Sequence, residues 1–220
     1  MRVAGLLLAA GAGRRFGGPK ALVSHDGVLW VDRAAAVLRD AGCAPVVVVL
    51  GASAASVRAR AALDGCVVVD NPEWATGMGS SLRAGLAALT GAGVGTGVVS
   101  GVDADAGRVV GPDVGAADGP GVGADIGAVV VLPVDTPGVT AAAVERLRAL
   151  ASPTALARAS YDGAPGHPVL IGSEHWAGVA ASAVGDAGAR DYLRTHSALD
   201  VPCGDVADGD DVDHPRDLPR

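Results

Sequence analysis

LAAGAGRRFGGPK, Leu8 to Lys20, decides how the rest of this 220-residue chain is read. An apolar run opens into glycines at 11, 13, 17 and 18, the pattern of a buried strand that ends in a loop able to bring backbone amides close to a ligand. Lys20 closes the segment and is the chain's only lysine, so 16 of the 17 basic side chains are arginine. A compact ammonium and a planar guanidinium fork are not equivalent, which marks position 20 as one that needs the former. With Arg15 beside it, the loop offers mobile positive charge next to free amides, and that is anion-binding chemistry. It is not a Walker loop, because Lys20 follows Pro19 with no GK[ST]. Two arginines and the only phenylalanine, Phe16, interrupt the glycines, so it is also a poor dinucleotide fingerprint.

Outward from that loop, Val-rich runs of strand length alternate with helix-patterned segments. Val3 to Ala9, Val46 to Leu50, Val67 to Val69 and Val129 to Leu132 read as strands bounded by Gly, Pro or Asp. Trp30 to Ala41, Ser53 to Leu63, Ser80 to Leu89 and Ala141 to Ala151 read as helices, the last capped by Thr140. This order predicts a three-layer, doubly wound α/β fold with a mostly parallel sheet, whose ligands bind at the carboxyl ends of the strands. Further on, Ala155 to Ser160 and Pro168 to Ile171 predict two short strands around a turn, followed by short helices near Ser173 to Ala183 and Ala189 to Thr195. Residues 90 to 127, rich in Gly, Ala, Val and Asp with no helical period, read as a flexible insertion in a single domain spanning 1 to 220.

Bulk composition narrows the function classes. Half the residues are hydrophobic and 19% are charged, enough apolar material for one full core. A net charge of −7 argues against a nucleic-acid surface, although a small phosphate needs only the local cluster of Arg14, Arg15 and Lys20. Cys43, Cys66 and Cys203 show no CxxC or zinc spacing and predict reduced thiols in a cytoplasmic protein. The apolar run at Val3 to Ala10 has its arginines after it, opposite to a secretory signal, and no stretch approaches the roughly 20 apolar residues of a membrane span.

Five more segments carry candidate chemistry. NPEWATGMGSSLRAGL, Asn71 to Leu86, sets the only asparagine directly after a strand and leads through Gly77, Gly79, Ser80 and Ser81 into a helix. LPVDTPGV, Leu132 to Val139, puts Asp135 at the end of a buried strand on the edge that holds the glycine loop. DVDHPRDL, Asp211 to Leu218, offers a second carboxylate from Asp211 or Asp213. GHPVLI, Gly166 to Ile171, and GDAGARDYLRTH, Gly185 to His196, add His167, Asp186 and Arg190. The other histidines, His25, His175, His196 and His214, show no ligand spacing.

Taken in order, these six segments resemble the signatures of the MobA-like nucleotidyltransferases, the molybdopterin cytidylyl- and guanylyltransferases among them. The resemblance implies that Leu8, Ala9, Ala10, Gly11, Gly13, Arg14, Arg15 and Lys20 wrap the triphosphate of an incoming nucleotide. It implies that Asn71, Gly77, Gly79, Ser80 and Ser81 hold base and ribose, and that Gly166, His167, Asp186 and Arg190 border the acceptor. Mg2+ would sit on Asp135 with Asp213, or Asp211 in its place, and Arg15, Lys20 and Asp135 would carry catalysis. The resemblance also implies CTP over GTP as donor, since in that family an LAAG context, with Ala10 here, accompanies cytidylyl transfer. Molybdopterin is the leading acceptor, with sugar phosphates and similar molecules as alternatives. Two rivals lie outside this class. An NAD(P)-dependent oxidoreductase calls for an acidic residue after the second strand, where this chain has Gly51, Ala52 and Ser53. A non-catalytic module delivering cofactor to a molybdoenzyme could use the insertion for docking.

Overall fold

The structure is a computed structural model that describes residues 1–91 and 125–217. Most of the expected 90 to 127 insertion therefore lies outside the described residues. In chain order the elements are β1 (Arg2–Ala9), the small hairpin β2 (Ser24–His25) and β3 (Val28–Leu29), α1 (Trp30–Asp40), β4 (Val46–Leu50), α2 (Ala54–Arg60), β5 (Cys66–Asp70) and α3 (Met78–Leu89). The second half contributes β6 (Ile126–Pro133), α4 (Ala141–Arg148), β7 (Leu156–Tyr161), β8 (Ala164–Gly172), α5 (Trp176–Ser182), α6 (Arg190–Thr195) and β9 (Leu199–Pro202).

Seven strands form one sheet in the order β5-β4-β1-β6-β8-β7-β9. β1 pairs in parallel with β4 and β6, β4 with β5, and β7 with β9, whereas β8 runs antiparallel to both its neighbours. Every residue of β4 is buried, as expected for a strand covered on both faces. Successive side chains of β1 feed opposite cores. Leu7 packs with Leu38 of α1 and Leu147 of α4, while Leu6 and Leu8 pack with Leu82 and Leu86 of α3 and Val179 of α5. The three-layer doubly wound architecture is as the sequence predicts.

Strand order creates the opening on which the site is built. From β1 the chain steps outward to β4 and β5, then returns to β6 on the other side of β1. Such a reversal parts the connections on the carboxyl edge and leaves a crevice there. In register, Leu8 of β1 stands opposite Pro133 of β6, so the glycine loop and the Asp135 turn leave the sheet from adjacent positions.

Several boundaries differ from the sequence expectation. β6 begins at Ile126, inside the segment read as insertion, and its first residues pair beside β1. α2 stops at Arg60 instead of Leu63, because the Ala62 amide is drawn to the Asp32 carboxylate at 2.9 Å. The segment from Ser173 starts as a single 3-10 turn and becomes helical only at Trp176. The hairpin β2–β3 and the edge strand β9 are additions to the elements that the sequence predicts. Thr140 caps α4 as expected, its hydroxyl accepting from the Ala143 amide at 3.4 Å.

Candidate functional site

The crevice at the strand reversal is a cleft of about 710 Å³. One wall is the glycine loop. Gly13 adopts φ +58°, and a Cβ there would lie 1.8 Å from the Gly18 carbonyl oxygen. The closeness arises because the Gly13 carbonyl accepts from both the Gly17 and Gly18 amides, at 2.9 and 3.1 Å, folding the loop onto itself. Within that fold the backbone amides of residues 11 to 16 take no acceptor among the described residues, which suits them to an anion. Phe16 anchors the loop by packing its ring on Trp30 of α1, centroids 5.8 Å apart.

Lys20 lies at the centre. Its Nζ donates to Asp135 Oδ2 at 3.0 Å and to Asp213 Oδ1 at 2.8 Å, joining positions 115 and 193 residues away in sequence. Arg15 reaches the other oxygen of Asp213 at 2.8 Å. The C-terminal segment is registered here by its backbone, since the Val212 amide donates to the Asp135 carbonyl at 2.9 Å. Burial opposes the charged form of Lys20, but its bonds and Coulombic attraction to Asp213 and Asp135 outweigh that and raise its pKa. The hydrogen bond from Lys20 holds the Asp213 carboxyl below the usual range, with Arg15 adding to the effect. Asp211 goes the other way, raised by burial and by its neighbour Asp135.

Two carboxylates directed at one cation form a hard-oxygen donor pair. Mg2+ is commonly held by one or two carboxylates with phosphate oxygens and waters completing its shell, so Asp135 and Asp213 fit it. Among the described residues no group of three or more His, Cys, Asp or Glu could hold a metal.

A second lobe of about 350 Å³ opens beside the first and shares Leu8, Met78, Pro133, Asp135, Asp186 and Arg190 with it. Gly166 and His167 of β8 line this lobe alone. Burial pushes the His167 pKa down to about 4, with Asp135 opposing the shift and Arg190 reinforcing it. The imidazole is therefore neutral at pH 7. Gly77 brings the two lobes together: its φ is +109°, and a Cβ would come within 2.5 Å of the Gly185 backbone.

The structure thus brings together Leu8, Ala10, Gly11, Gly13, Arg14, Arg15, Lys20, Gly77, Ser81, Asp135 and Asp213 in the larger lobe. Ala9, Asn71, Gly79 and Ser80 stand behind its walls. Ala9 points into the α1 side of the core, and a Cβ on Gly79 would lie 2.7 Å from the Ala183 backbone. Asn71 is buried, its Nδ2 donating to Ser80 Oγ at 2.8 Å and Ser81 Oγ at 3.1 Å while its Oδ1 accepts from the Glu73 amide at 2.9 Å. It is a brace that shapes the start of α3, with no free group for a ligand. Trp74, Met78 and Arg158 also line the lobes, although the sequence does not single them out. Trp74 and Met78 lie within a quoted segment; Arg158 carries no local motif.

A strand reversal, a self-closed loop of unpaired amides and a cation clamped by two carboxylates thus meet at the carboxyl edge of an α/β sheet. Residues 5–201 match the MobA-like NTP transferase domain, and the chain belongs to that family. A protein of Paenarthrobacter nicotinovorans named nicotine blue oxidoreductase is 35% identical over 221 residues, covering 96% of this chain and 92% of its own. Among solved structures, Rv0371c from Mycobacterium tuberculosis H37Rv has 26% identity and a TM-score of 0.68, over 97% of this chain and 94% of that one. A nucleotidyl transferase from Methanothermobacter thermautotroptrophicus gives the same TM-score of 0.68 at 16% identity, over 98% and 94%, a likeness of fold. No described helix is long and apolar enough to cross a membrane.

The brace and the half-buried imidazole each have a measurable consequence. Asn71→Ala removes the partner of Ser81 and of the Glu73 amide, while Ser80 keeps its bonds to the Glu73 and Gly77 carbonyls, and is expected to cost about 1–3 kcal/mol in urea unfolding. For His167 the folded pKa of about 4 lies below the ordinary 6.5, so the unfolded chain takes up the proton first. Its contribution is nil above pH 6.5 and increasingly destabilising as pH falls towards 4. His167→Gln should therefore lose less stability than the wild type between pH 7 and pH 5, measured by urea midpoint.

Proposed function

We propose that this protein transfers a nucleoside monophosphate, CMP from CTP, to a phosphorylated acceptor, molybdopterin, with release of pyrophosphate. The observation that carries the proposal is the Lys20 ammonium held between Asp135 and Asp213 beside the glycine loop. A triphosphate entering the larger lobe meets the unpaired amides of residues 11 to 16 and the guanidinium of Arg15, which is largely exposed. As it draws Lys20 onto its own oxygens, Asp135 and Asp213 are left facing one another and free to hold a divalent cation. Held by Asp135 and Asp213, Mg2+ would supply Lewis-acid polarisation of phosphoryl oxygens. Lys20's contact with Asp213 supports that residue over Asp211 as the second ligand.

The acceptor phosphate oxygen attacks the α-phosphorus in line and the bond to pyrophosphate breaks. No protein nucleophile is needed, because positioning and charge neutralisation carry such transfers. Lys20 and Arg15 hold the oxygens on which charge develops. The neighbouring lobe, bounded by Gly166, His167, Asp186 and Arg190, gives the acceptor a place next to the reacting phosphorus. Ala10, 5% exposed and lining the larger lobe, adds a methyl group where glycine would leave room, and that crowding of the base supports the smaller pyrimidine donor.

A second reading draws on the relative named an oxidoreductase, which is 35% identical. Against it, β4 ends at Leu50 and is followed by Gly51, Ala52 and Ser53, with no acid for a dinucleotide ribose. A pyrophosphate-release assay with each of the four nucleoside triphosphates, molybdopterin and Mg2+ separates these readings. CTP should give the highest rate; a higher rate with GTP overturns the donor assignment. Oxidation of NAD(P)H without pyrophosphate release overturns the transfer itself. Lys20→Arg should fold normally and lose about 100- to 1,000-fold in kcat, because the fork cannot reproduce a point contact.

A further inference from the structure

We propose that Arg158, fixed by Asp200, reads the ring edge of a planar heterocyclic acceptor in the smaller lobe. This rests on the acceptor being bound there, and it names a specificity residue outside the motif segments.

Sheet register places the side chain. Arg158 of β7 stands opposite Val169 of β8, and Val169 opposite Val131 of β6. Both valines belong to the core on the α3, α5 and α6 side, and both line the lobe. The row thus passes from two aliphatic side chains to an arginine whose side chain is 18% exposed. A guanidinium there is oriented by a partner on the next strand. Asp200, its register neighbour on β9, is that partner, accepting from Arg158 Nε at 2.6 Å. The contact uses the side of the guanidinium and leaves both terminal amino groups without an acceptor among the described residues. The fork is oriented and still has donors to give.

Its surroundings select the ligand. Leu82, Val131, Val169, Ile171 and Leu193 form one side of the lobe, with Asp186, Arg190, Asp210 and Asp211 elsewhere in its lining. A lone phosphate gains nothing from aliphatic walls, whereas a flat heterocycle buries its faces against them and presents an edge. Two adjacent acceptors on such an edge match the fork, as arginine matches the O6 and N7 of guanine. β7 lies two strands from β6, so Arg158 stands roughly 10 Å across the sheet from Val131, four residues before Asp135. That spacing leaves room for the ring between the fork and the phosphate.

The test is binding of free pterin, followed by its fluorescence, to the wild type and to Arg158→Lys, Arg158→Leu and Asp200→Asn, with CTP binding measured in parallel. Both Arg158 variants should bind pterin about tenfold more weakly or worse, because lysine keeps the charge and loses the fork. Asp200→Asn should show a smaller loss, as a positioning residue. CTP affinity of each folded variant should stay at the wild-type value. Wild-type-like pterin binding by either Arg158 variant overturns the proposal. So does a wild type that fails to bind pterin, including one that instead shows Arg158-dependent binding of inorganic phosphate. Arg158-dependent pterin binding in a protein that does not bind CTP would sink the transfer reading and leave this one standing.

Discussion

The ammonium of Lys20 between Asp135 and Asp213 holds three otherwise independent segments at one point. The glycine loop, the turn after β6 and the C-terminal segment meet through two contacts of 3.0 and 2.8 Å. Without a cation at that point two carboxylates would face each other in a partly buried cleft, an arrangement proteins avoid by pairing or neutralising one of them. The raised pKa of Lys20 and the lowered pKa of Asp213 are two views of the same attraction. Lysine suits the position because a compact ammonium can donate to both partners from one point and can also leave, whereas a planar fork would be fixed by its geometry.

The fold supplies the place for that contact. Because the chain reverses direction across the sheet at β1 and β6, the two strands that deliver the loop and Asp135 are neighbours from which the chain continues towards opposite edges of the sheet. The carboxyl edge there is open without any part of the core being sacrificed. β8, the antiparallel strand beside β6, extends the same edge and carries Gly166 and His167 into the second lobe. Larger lobe and smaller lobe are therefore consecutive stretches of one sheet edge, and Leu8, Pro133 and Asp135 belong to both.

Much of this is legible in the sequence where local pattern and chemistry coincide. The Val-rich strands, the glycine loop and the carboxylates at 135 and 213 each have a local signal, and the loop's lysine is conspicuous in a chain otherwise furnished with arginine. The rest depends on partners distant in sequence. A buried asparagine followed by two serines reads equally well as a ligand set or as a brace, and only the packing of α3 against β5 shows that Asn71 spends its hydrogen bonds on Ser80, Ser81 and Glu73. Arg158 has no motif, and its meaning comes from a register that sets it beside Val169 and Asp200. β9, only four residues long with two of mixed polarity and a proline, gives too short a pattern to be recognised before its partner β7 is known.

The proposed transfer requires Lys20 to yield its place between the carboxylates to a metal that accompanies the nucleotide. The decisive measurement is a crystal structure of the protein with Mg2+ and a non-hydrolysable CTP analogue. The expected complex has the metal on Asp135 and Asp213, the triphosphate on the glycine loop, and Lys20 moved onto phosphate oxygens. A complex in which the nucleotide is bound while Lys20 still bridges Asp135 and Asp213 would contradict that requirement.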